Sequence, residues 1–186
     1  MILVELGCGT TKREGVIGVD RLPLPGVDIV ADMEQGLPFF ESDSVDAIYS
    51  DHFFEHIGNF ELLIREIHRV LKKEGTLFLR VPHFSNPYYY SDPTHRRFFG
   101  LYTFDYYSDP VHQLRHKVPA FYGNPRFRVI RRKLIFKSDF LIRSVIKHRI
   151  IQPLVNLSDY TRELYEELFC HLLPCQEIYF EIQPVK

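Results

Sequence analysis

Long hydrophobic runs are absent from this sequence, and cysteine is scarce. No stretch approaches the roughly 18 consecutive apolar residues of a membrane-spanning helix. The opening residues MILVELGCG carry no basic segment of the kind that begins a secretion signal. The cysteines, Cys8, Cys170 and Cys175, are too few for a disulfide framework and have no partners at zinc-binding spacing. We therefore expect a cytoplasmic protein with reduced thiols that serve in packing.

Internal repeats and low-complexity tracts are also absent, and a length of 186 residues suits one domain. Short apolar stretches predict strands at residues 2–6, 15–20, 28–31, 44–50, 76–81, 126–137 and 176–184. Because the early strands alternate with helical or loop crossovers, we expect a mostly parallel sheet. Ligands of such sheets bind at the carboxyl ends of the strands.

Helices are predicted where apolar residues recur with a period of 3.6. The clearest case is 60–73, with Asn59 as the N-cap and Gly75 just beyond the end. Residues 138–151 and 160–173 are predicted as further helices. Between them and the early strands, residues 83–109 are rich in Tyr, Phe, His, Asp and Pro. This composition predicts a long functional loop with one or two short helices.

Glycines and acids stand where three successive strands are predicted to end. Gly7 and Gly9 follow the first strand, where the missing Cβ lets a ligand approach the backbone. Asp20 ends the second strand and can accept both hydroxyls of a ribose, and Asp32 follows the third, where it can accept from an exocyclic amine. A nicotinamide fingerprint is disfavoured because Lys12 takes the third glycine position. The loop suits a ligand without phosphates.

Taken in order, several segments resemble a known family: ELGCGT, VIGVD, ADMEQGLPF, SVDAIYSDHFFEHI, VLKKEG and TLFLRVP. They are similar to class I S-adenosylmethionine-dependent methyltransferases of the ubiquinone/menaquinone-methylating type, over residues 1–82. The resemblance implies an α/β, Rossmann-like fold: a mostly parallel seven-stranded sheet with an antiparallel C-terminal strand and helices on both faces. It also implies S-adenosyl-L-methionine as the cofactor.

The same resemblance assigns roles to residues of the first half. The loop from Glu5 to Gly9 would hold the methionine part of the cofactor, Asp20 the ribose, and Asp32 the adenine. The full implied set is Glu5, Leu6, Gly7, Cys8, Gly9, Asp20, Arg21, Asp32, Met33, Ser50 and Asp51. One departure from the family is the first crossover, residues 10–14, which is too short for the usual helix.

The whole chain, 1–186, is expected to form one methyltransferase domain. Residues 1–82 would be the cofactor-binding half, and residues 83–186 the acceptor side. The segment from His83 to Tyr107 resembles a microbial subgroup associated with glycan or lipid modification.

Histidines supply the catalytic candidates, since methyl transfer needs a base only if the acceptor must lose a proton. His52 and His83 follow the fourth and fifth predicted strands, and His95 lies in a loop expected to cover the site. His56 is interpreted as structural. His112 and His116 could share a helix face, but no third ligand is arranged with them, so no metal site is predicted.

The net charge of −1 conceals an asymmetry. Between His112 and Arg149 there are eleven Lys or Arg residues and one acid, Asp139, a net charge of +10 against −11 elsewhere. This segment favours an anionic partner, and its apolar content favours a membrane interface over RNA. The predicted function is methyl transfer to a small-molecule, glycan or lipid-linked acceptor. The alternatives are a nucleic-acid methyltransferase and a cofactor-binding partner subunit without catalysis.

Overall fold

Seven strands form one sheet in the computed structural model, which describes residues 1–120 and 125–186. The strands are β1 (Leu3–Leu6), β2 (Ile17–Asp20), β3 (Ile29–Val30), β4 (Val45–Asp51), β5 (Leu71–Pro82), β6 (Arg126–Ile135) and β7 (Glu177–Val185). The helices are α1 (Phe60–Val70), α2 (Leu141–Ile146), α3 (Gln152–Val155) and α4 (Asp159–Leu168). The segment with a net charge of +10, His112 to Arg149, is called the basic segment below. It includes residues 121–124, which lie outside the described residues.

The sheet has the order β3-β2-β1-β4-β5-β7-β6. The first five strands in the chain run parallel, and β7 pairs antiparallel with both β5 and β6. The predicted fold class, a mostly parallel seven-stranded sheet with an antiparallel C-terminal strand, is confirmed. Strand β1 lies between β2 and β4, so the strand order reverses at β1. Ligands of open α/β sheets bind in the crevice at such a reversal, outside the carboxyl ends of the strands.

Helix α1 buries one face formed by Leu63, Ile64, Ile67 and Val70. The prediction that it continues to residue 73 was wrong, because Leu71 is already extended and pairs with Val45. The next pair is Ala47 with Thr76, so the intervening residues of β5 form a bulge that contains Gly75. The Asn59 side chain makes no capping bond.

A nearly continuous helical stretch follows β6. It runs through α2, a π-helical turn (Lys147–Ile151) and α3. It therefore begins later and ends later than the predicted helix 138–151. Pro153 lies just after the π turn, where its missing N–H and its ring interrupt regular hydrogen bonding.

Helix α4 begins at a capping box made by Ser158 and Thr161 and ends at Leu168, five residues before its predicted end. Two short 3₁₀ turns, Tyr89–Ser91 and Asp105–Tyr107, occur within the predicted loop 83–109, as expected. None of the helices in the described ranges is long and apolar enough to cross a membrane. Cys8, Cys170 and Cys175 are buried and unpaired, as predicted.

Aromatic side chains fix the second half of the chain on the sheet. Phe99 and Phe104 are buried and contact Phe60 at the start of α1, and Phe104 also packs edge-on against Phe180 of β7.

One face of the sheet is covered by fewer side chains and helices than the other. Along β5, the buried side chains of Leu77, Leu79 and Val81 alternate with half-buried side chains that point to the other face. In the described residues, no helix connects β1 to β2 or β2 to β3.

The segment that follows β5, residues 83–120, is called the insertion below. A buried ion pair joins the insertion to the antiparallel part of the sheet. Asp105 and Arg132 of β6 are in direct contact, with side chains almost inaccessible to solvent. Burial raises the pKa of Asp105 to about 6 and lowers the pKa of Arg132. Burying the pair therefore costs desolvation free energy, and each charge is compensated in the interior only by the other.

We expect Arg132→Met to lower the free energy of unfolding by about 3–5 kcal/mol, because the Asp105 carboxylate then stays buried without its partner. The double variant Asp105→Leu/Arg132→Met should lose much less, since it buries no charge. Urea denaturation followed by circular dichroism measures both. A single-variant loss below about 1 kcal/mol, the range of exposed ion pairs, would contradict this role.

Candidate functional site

A cleft of about 520 Å³ opens at the carboxyl ends of β1, β2 and β4. It lies where the strand order reverses, as the topology leads one to expect. Its lining combines strand ends with the segment after β4 and with a loop of the insertion. The lining residues are Gly7, Asp20, Arg21, Asp32, Met33, Glu34, His52, Phe53, His56, Ile57, Pro93, Thr94 and Arg96.

Asp20, the last residue of β2, connects the cleft to the glycine loop. Its Oδ2 accepts from the N–H of Gly9 at 3.0 Å, and its Oδ1 accepts from the N–H of Leu22 at 3.0 Å. Each carboxylate oxygen has two lone pairs, so both keep one for a further donor. The pair of backbone bonds therefore orients the carboxylate without using up its capacity for a ligand.

Asp32 and Met33 form the adjacent wall. Asp32 accepts from the N–H of Glu34 and caps a short 3₁₀ turn (Met33–Gln35), while the Met33 side chain is almost fully buried beneath the cleft. Glu34 accepts from the N–H groups of Gly58 and Asn59, both at 2.6 Å. It thereby satisfies two backbone donors that lie just before the first turn of α1.

Arg13 links two of the predicted cofactor residues. Its guanidinium contacts the buried carboxylate of Glu5 and lies 2.6 Å from Asp51 Oδ2, and its backbone N–H donates to Glu5 Oε2 at 2.7 Å. The same guanidinium sits 4.9 Å from the centre of the Tyr49 ring. The acids at the ends of β1 and β4 are therefore held together through a cation, and neither lines the cleft directly.

Three further predicted residues lie behind the cleft. The side chains of Leu6, Cys8 and Ser50 are buried, and Ser50 Oγ donates to the carbonyl of Leu6 at 3.1 Å. They shape the loop and offer a ligand no side-chain contact. Gly7 does reach the cleft; it has a φ of +69°, and a Cβ there would lie 2.6 Å from Phe53. Only glycine fits this position.

His52, a catalytic candidate from the sequence, lines the cleft. His52 is the first residue after β4, and its φ of +52° is unusual for a residue with a side chain. Glu177 and Glu55 lie 3.4 and 3.3 Å from its ring nitrogens and raise the pKa of His52 to about 9. The imidazole is therefore protonated at neutral pH and cannot serve there as a base.

His83 does not reach the cleft, which corrects its assignment as a catalytic candidate. The ring is fully buried, with Nδ1 2.8 Å from Ser85 Oγ and Nε2 3.1 Å from Glu166 of α4. The insertion and α4 cover the end of β5, so the side chain joins these elements together.

His95 stands just behind the cleft wall, and its ring lies 4.8 Å from that of His56, which does line the cleft. The loop carrying His95 is held there by backbone bonds. The N–H groups of Arg96 and Arg97 donate to the carbonyl of Glu55 at 2.7 and 3.2 Å. The expected covering loop therefore does meet the residues that follow β4.

Sequence reasoning missed Arg13, Phe53 and Arg96 and interpreted His56 as structural only. Arg13 carried a weak signal, a cation soon after a glycine loop that also contains an acid. Phe53 and Arg96 carried none, because their place depends on how distant segments meet.

Comparisons with known proteins agree with this arrangement. Residues 10–79 match the family model described as a methyltransferase domain. A comparison with curated proteins finds no match.

Several solved structures have a similar fold. A SAM-dependent methyltransferase from Archaeoglobus fulgidus has 18% identity and a TM-score of 0.57, over 98% of this chain and 85% of that one. The YcgJ protein from Bacillus subtilis has 19% identity and a TM-score of 0.54, over 99% and 91%. Coclaurine N-methyltransferase, solved with N-methylheliamine and SAH, has 18% identity and a TM-score of 0.53, over 97% and 66%.

The likeness to the ubiquinone/menaquinone-methylating type stays a prediction. The matched segment contains β2 to β4, α1 and most of β5, and with them the cleft residues from Asp20 to Ile57. Residues 10–79 therefore resemble the methyltransferase domain family, and the chain as a whole has the fold of the class I S-adenosylmethionine-dependent methyltransferases.

Proposed function

We propose that this protein transfers a methyl group from S-adenosyl-L-methionine to an acceptor bound beside the same cleft. The observation that carries the proposal is the Asp20 carboxylate, held by backbone bonds next to a glycine loop where the strand order reverses. A carboxylate in this position is suited to two ribose hydroxyls. The SAH found in one structural neighbour supports the choice of cofactor.

The neighbouring residues suit the other parts of this cofactor. Asp32 and Met33 offer an acceptor and an apolar surface for adenine, and Arg21 flanks them. Glu5, Arg13 and Asp51 form a charged group at the ends of β1 and β4, behind the residues that line the cleft. The ammonium and carboxylate of the methionine part would reach this group past the glycine loop.

Methyl transfer from a sulfonium is an in-line displacement: a bond from the acceptor to the methyl carbon forms as the carbon–sulfur bond breaks, and SAH leaves. Because the methyl group is already activated, the protein mainly aligns the two partners and excludes water. Phe53 and the loop with Pro93 and Thr94 can do this, since they line the same cleft as Asp20. Any proton on the acceptor atom must leave to solvent or to a base, and protonated His52 is not that base at neutral pH.

Asp20→Ala should weaken binding of SAM and SAH by about 2–3 kcal/mol, because a charged acceptor for the ribose hydroxyls is lost. Isothermal titration calorimetry measures the change. In the wild type, NAD should bind much more weakly than SAH, since the glycine loop suits a ligand without phosphates.

Asp28→Ala is the matched control. Asp28 also accepts a backbone N–H of this region, from Gly18 at 2.7 Å, but it does not line the cleft. Its loss should leave SAH affinity nearly unchanged. An unaltered dissociation constant in Asp20→Ala, or tight binding of NAD, would refute the assignment. Cofactor binding with no methyl transfer to any cell extract would favour the non-catalytic alternative.

We also propose that the acceptor is presented at an anionic membrane surface, which the helical stretch after β6 would bind. This stretch and its flanking residues leave large apolar side chains exposed: Phe140, Leu141, Ile142, Val145, Ile146, Ile150, Leu154 and Leu157. Leu141 and Ile142 are 80% and 76% exposed. An apolar patch of this kind normally marks an interaction site.

The charge pattern also supports a lipid partner. Fewer free cations are available for lipid binding than the net charge of +10 counted in the sequence, because acids pair with several of them. Asp109, Glu181, Asp105 and Glu177 pair with Arg126, Arg131, Arg132 and Lys137. Lys147 turns inward and donates to backbone carbonyls. Arg143 and Arg149 remain exposed beside the apolar side chains, as in helices that lie in a membrane interface. Binding to the phosphate backbone of RNA would not bury the exposed apolar side chains.

Ile142→Ser should weaken binding to vesicles of phosphatidylglycerol and phosphatidylcholine roughly tenfold, because one inserted apolar side chain is lost. Co-sedimentation measures it. Leu172→Ser is the matched control, since Leu172 is also 76% exposed but lies outside the stretch.

Three results would overturn the membrane proposal. Equal losses in the two variants would show a nonspecific effect. Binding of RNA at matched salt without binding of vesicles would favour the nucleic-acid alternative. A concentration-dependent dimer that Ile142→Ser dissolves, with no vesicle binding, would show that a second copy covers this face.

A further inference from the structure

Beside the cleft, three side chains with metal-ligating atoms converge without being used by the proposed methyl transfer. One ligand atom each of Glu55, His56 and His95 lies within 4.8 Å of the others. Two of the residues follow β4, and His95 comes from the insertion, so residues distant in sequence meet here. In the sequence, the histidine pair considered for a metal was His112 and His116, and no metal site was predicted.

Glu55 is the most unusual member of this cluster. It is 1% exposed, yet neither carboxylate oxygen has a hydrogen-bond partner. The ring of His52 lies beside it, with Nδ1 3.3 Å from Oε1. A buried carboxylate that lacks hydrogen bonds is costly, and a coordinated cation is one way in which proteins satisfy such a group.

His56 presents a lone pair on its second nitrogen. Its Nδ1 lies 2.9 Å from Thr94 Oγ1, and that hydroxyl donates its only hydrogen to Asp92 Oδ1 at 2.6 Å. Nδ1 of His56 must therefore be the donor to Thr94. In the neutral ring, Nε2 then carries the lone pair.

His95 is arranged in the same way. Its Nδ1 lies 2.9 Å from the carbonyl oxygen of Tyr89, which can only accept, so this nitrogen carries the hydrogen. Asp92 Oδ2 is 3.5 Å from Nε2, too far for a good hydrogen bond. Metal-binding histidines typically donate their other N–H to a carbonyl or a similar acceptor, which fixes the ring and its tautomer.

We propose that Glu55, His56 and His95 bind a divalent transition metal ion, with Zn²⁺ as the best match. Two imidazoles and a carboxylate form a common zinc ligand set, and a neutral nitrogen pair with one carboxylate suits this ion better than Mg²⁺ or Ca²⁺. Donors about 2.0–2.2 Å from the ion must stand closer together than 4.8 Å, so small side-chain rotations accompany binding.

The position of this site gives the ion access to the cleft, because His56 and Thr94 both line it. Three protein ligands leave a further coordination position for water or an acceptor oxygen. The inference goes beyond methyl transfer and does not depend on it.

The test uses the full chain, treated with EDTA and then dialysed into metal-free buffer. Equilibrium dialysis with Zn²⁺ alone, read by mass spectrometry, should give one ion per chain. His56→Gln/His95→Gln should weaken binding about 100-fold or more, and His112→Gln/His116→Gln, which also removes two histidines, should change it little. Co²⁺ should give visible absorption bands in the wild type that the first variant lacks.

Circular dichroism and calorimetry with SAH separate this test from the tests of fold and function. If the double variant fails to fold, His95→Gln and the rise in melting temperature of the wild type on adding Zn²⁺ provide the readouts. Equal loss in the two double variants, or wild-type binding no tighter than that of His56→Gln/His95→Gln, would overturn the site. Loss of SAH binding with intact zinc binding would contradict only the proposed function.

Discussion

The pairing of β1 with both β2 and β4 is the constraint on which the rest of the structure depends. Backbone bonds in register, from Leu6 with Val19 to Leu3 with Ala47, bring three strand ends to one edge of the sheet. Because the strand order reverses there, the chain leaves the sheet in opposite directions and cannot fill the gap with a connection of its own. The glycine loop, Asp20 and the residues after β4 all border this gap.

Glu55 extends that constraint to the second half of the chain. Its carbonyl oxygen receives the N–H groups of Arg96 and Arg97, which bring a loop of the insertion against the cleft. Its carboxylate is buried beside His52, whose other ring nitrogen faces Glu177 at the start of β7. One short segment after β4 therefore contacts the cleft, the insertion and the antiparallel strands. A substitution of Glu55 would therefore disturb the cleft, the insertion and the antiparallel strands together.

The basic segment illustrates how tertiary structure redistributes charge. Counting residues gave a strongly positive stretch, but acids from the insertion and from β7 pair with four of its cations. Desolvated pairs such as Asp105 with Arg132 join elements and no longer attract a distant anion. The helical stretch after β6 exposes a mainly apolar surface with Arg143 and Arg149 beside it, while Arg115, Lys117 and Arg128 are exposed elsewhere in the segment. The positive charge is therefore spread over several surfaces and is not concentrated on one.

The sequence by itself determined the elements with strong local signals. Apolar stretches ending in glycine or aspartate located the parallel strands, and the period of α1 located its buried face, because both depend on residues close in the chain. The placement of Asp20, Asp32 and His52 at strand ends followed from the same pattern. Only the tertiary structure decided which side chains share a space. His83 is buried against Glu166, Arg13 joins Glu5 to Asp51, and His95 meets His56. Each of these contacts depends on the packing of segments far apart in sequence, and no local periodicity encodes it.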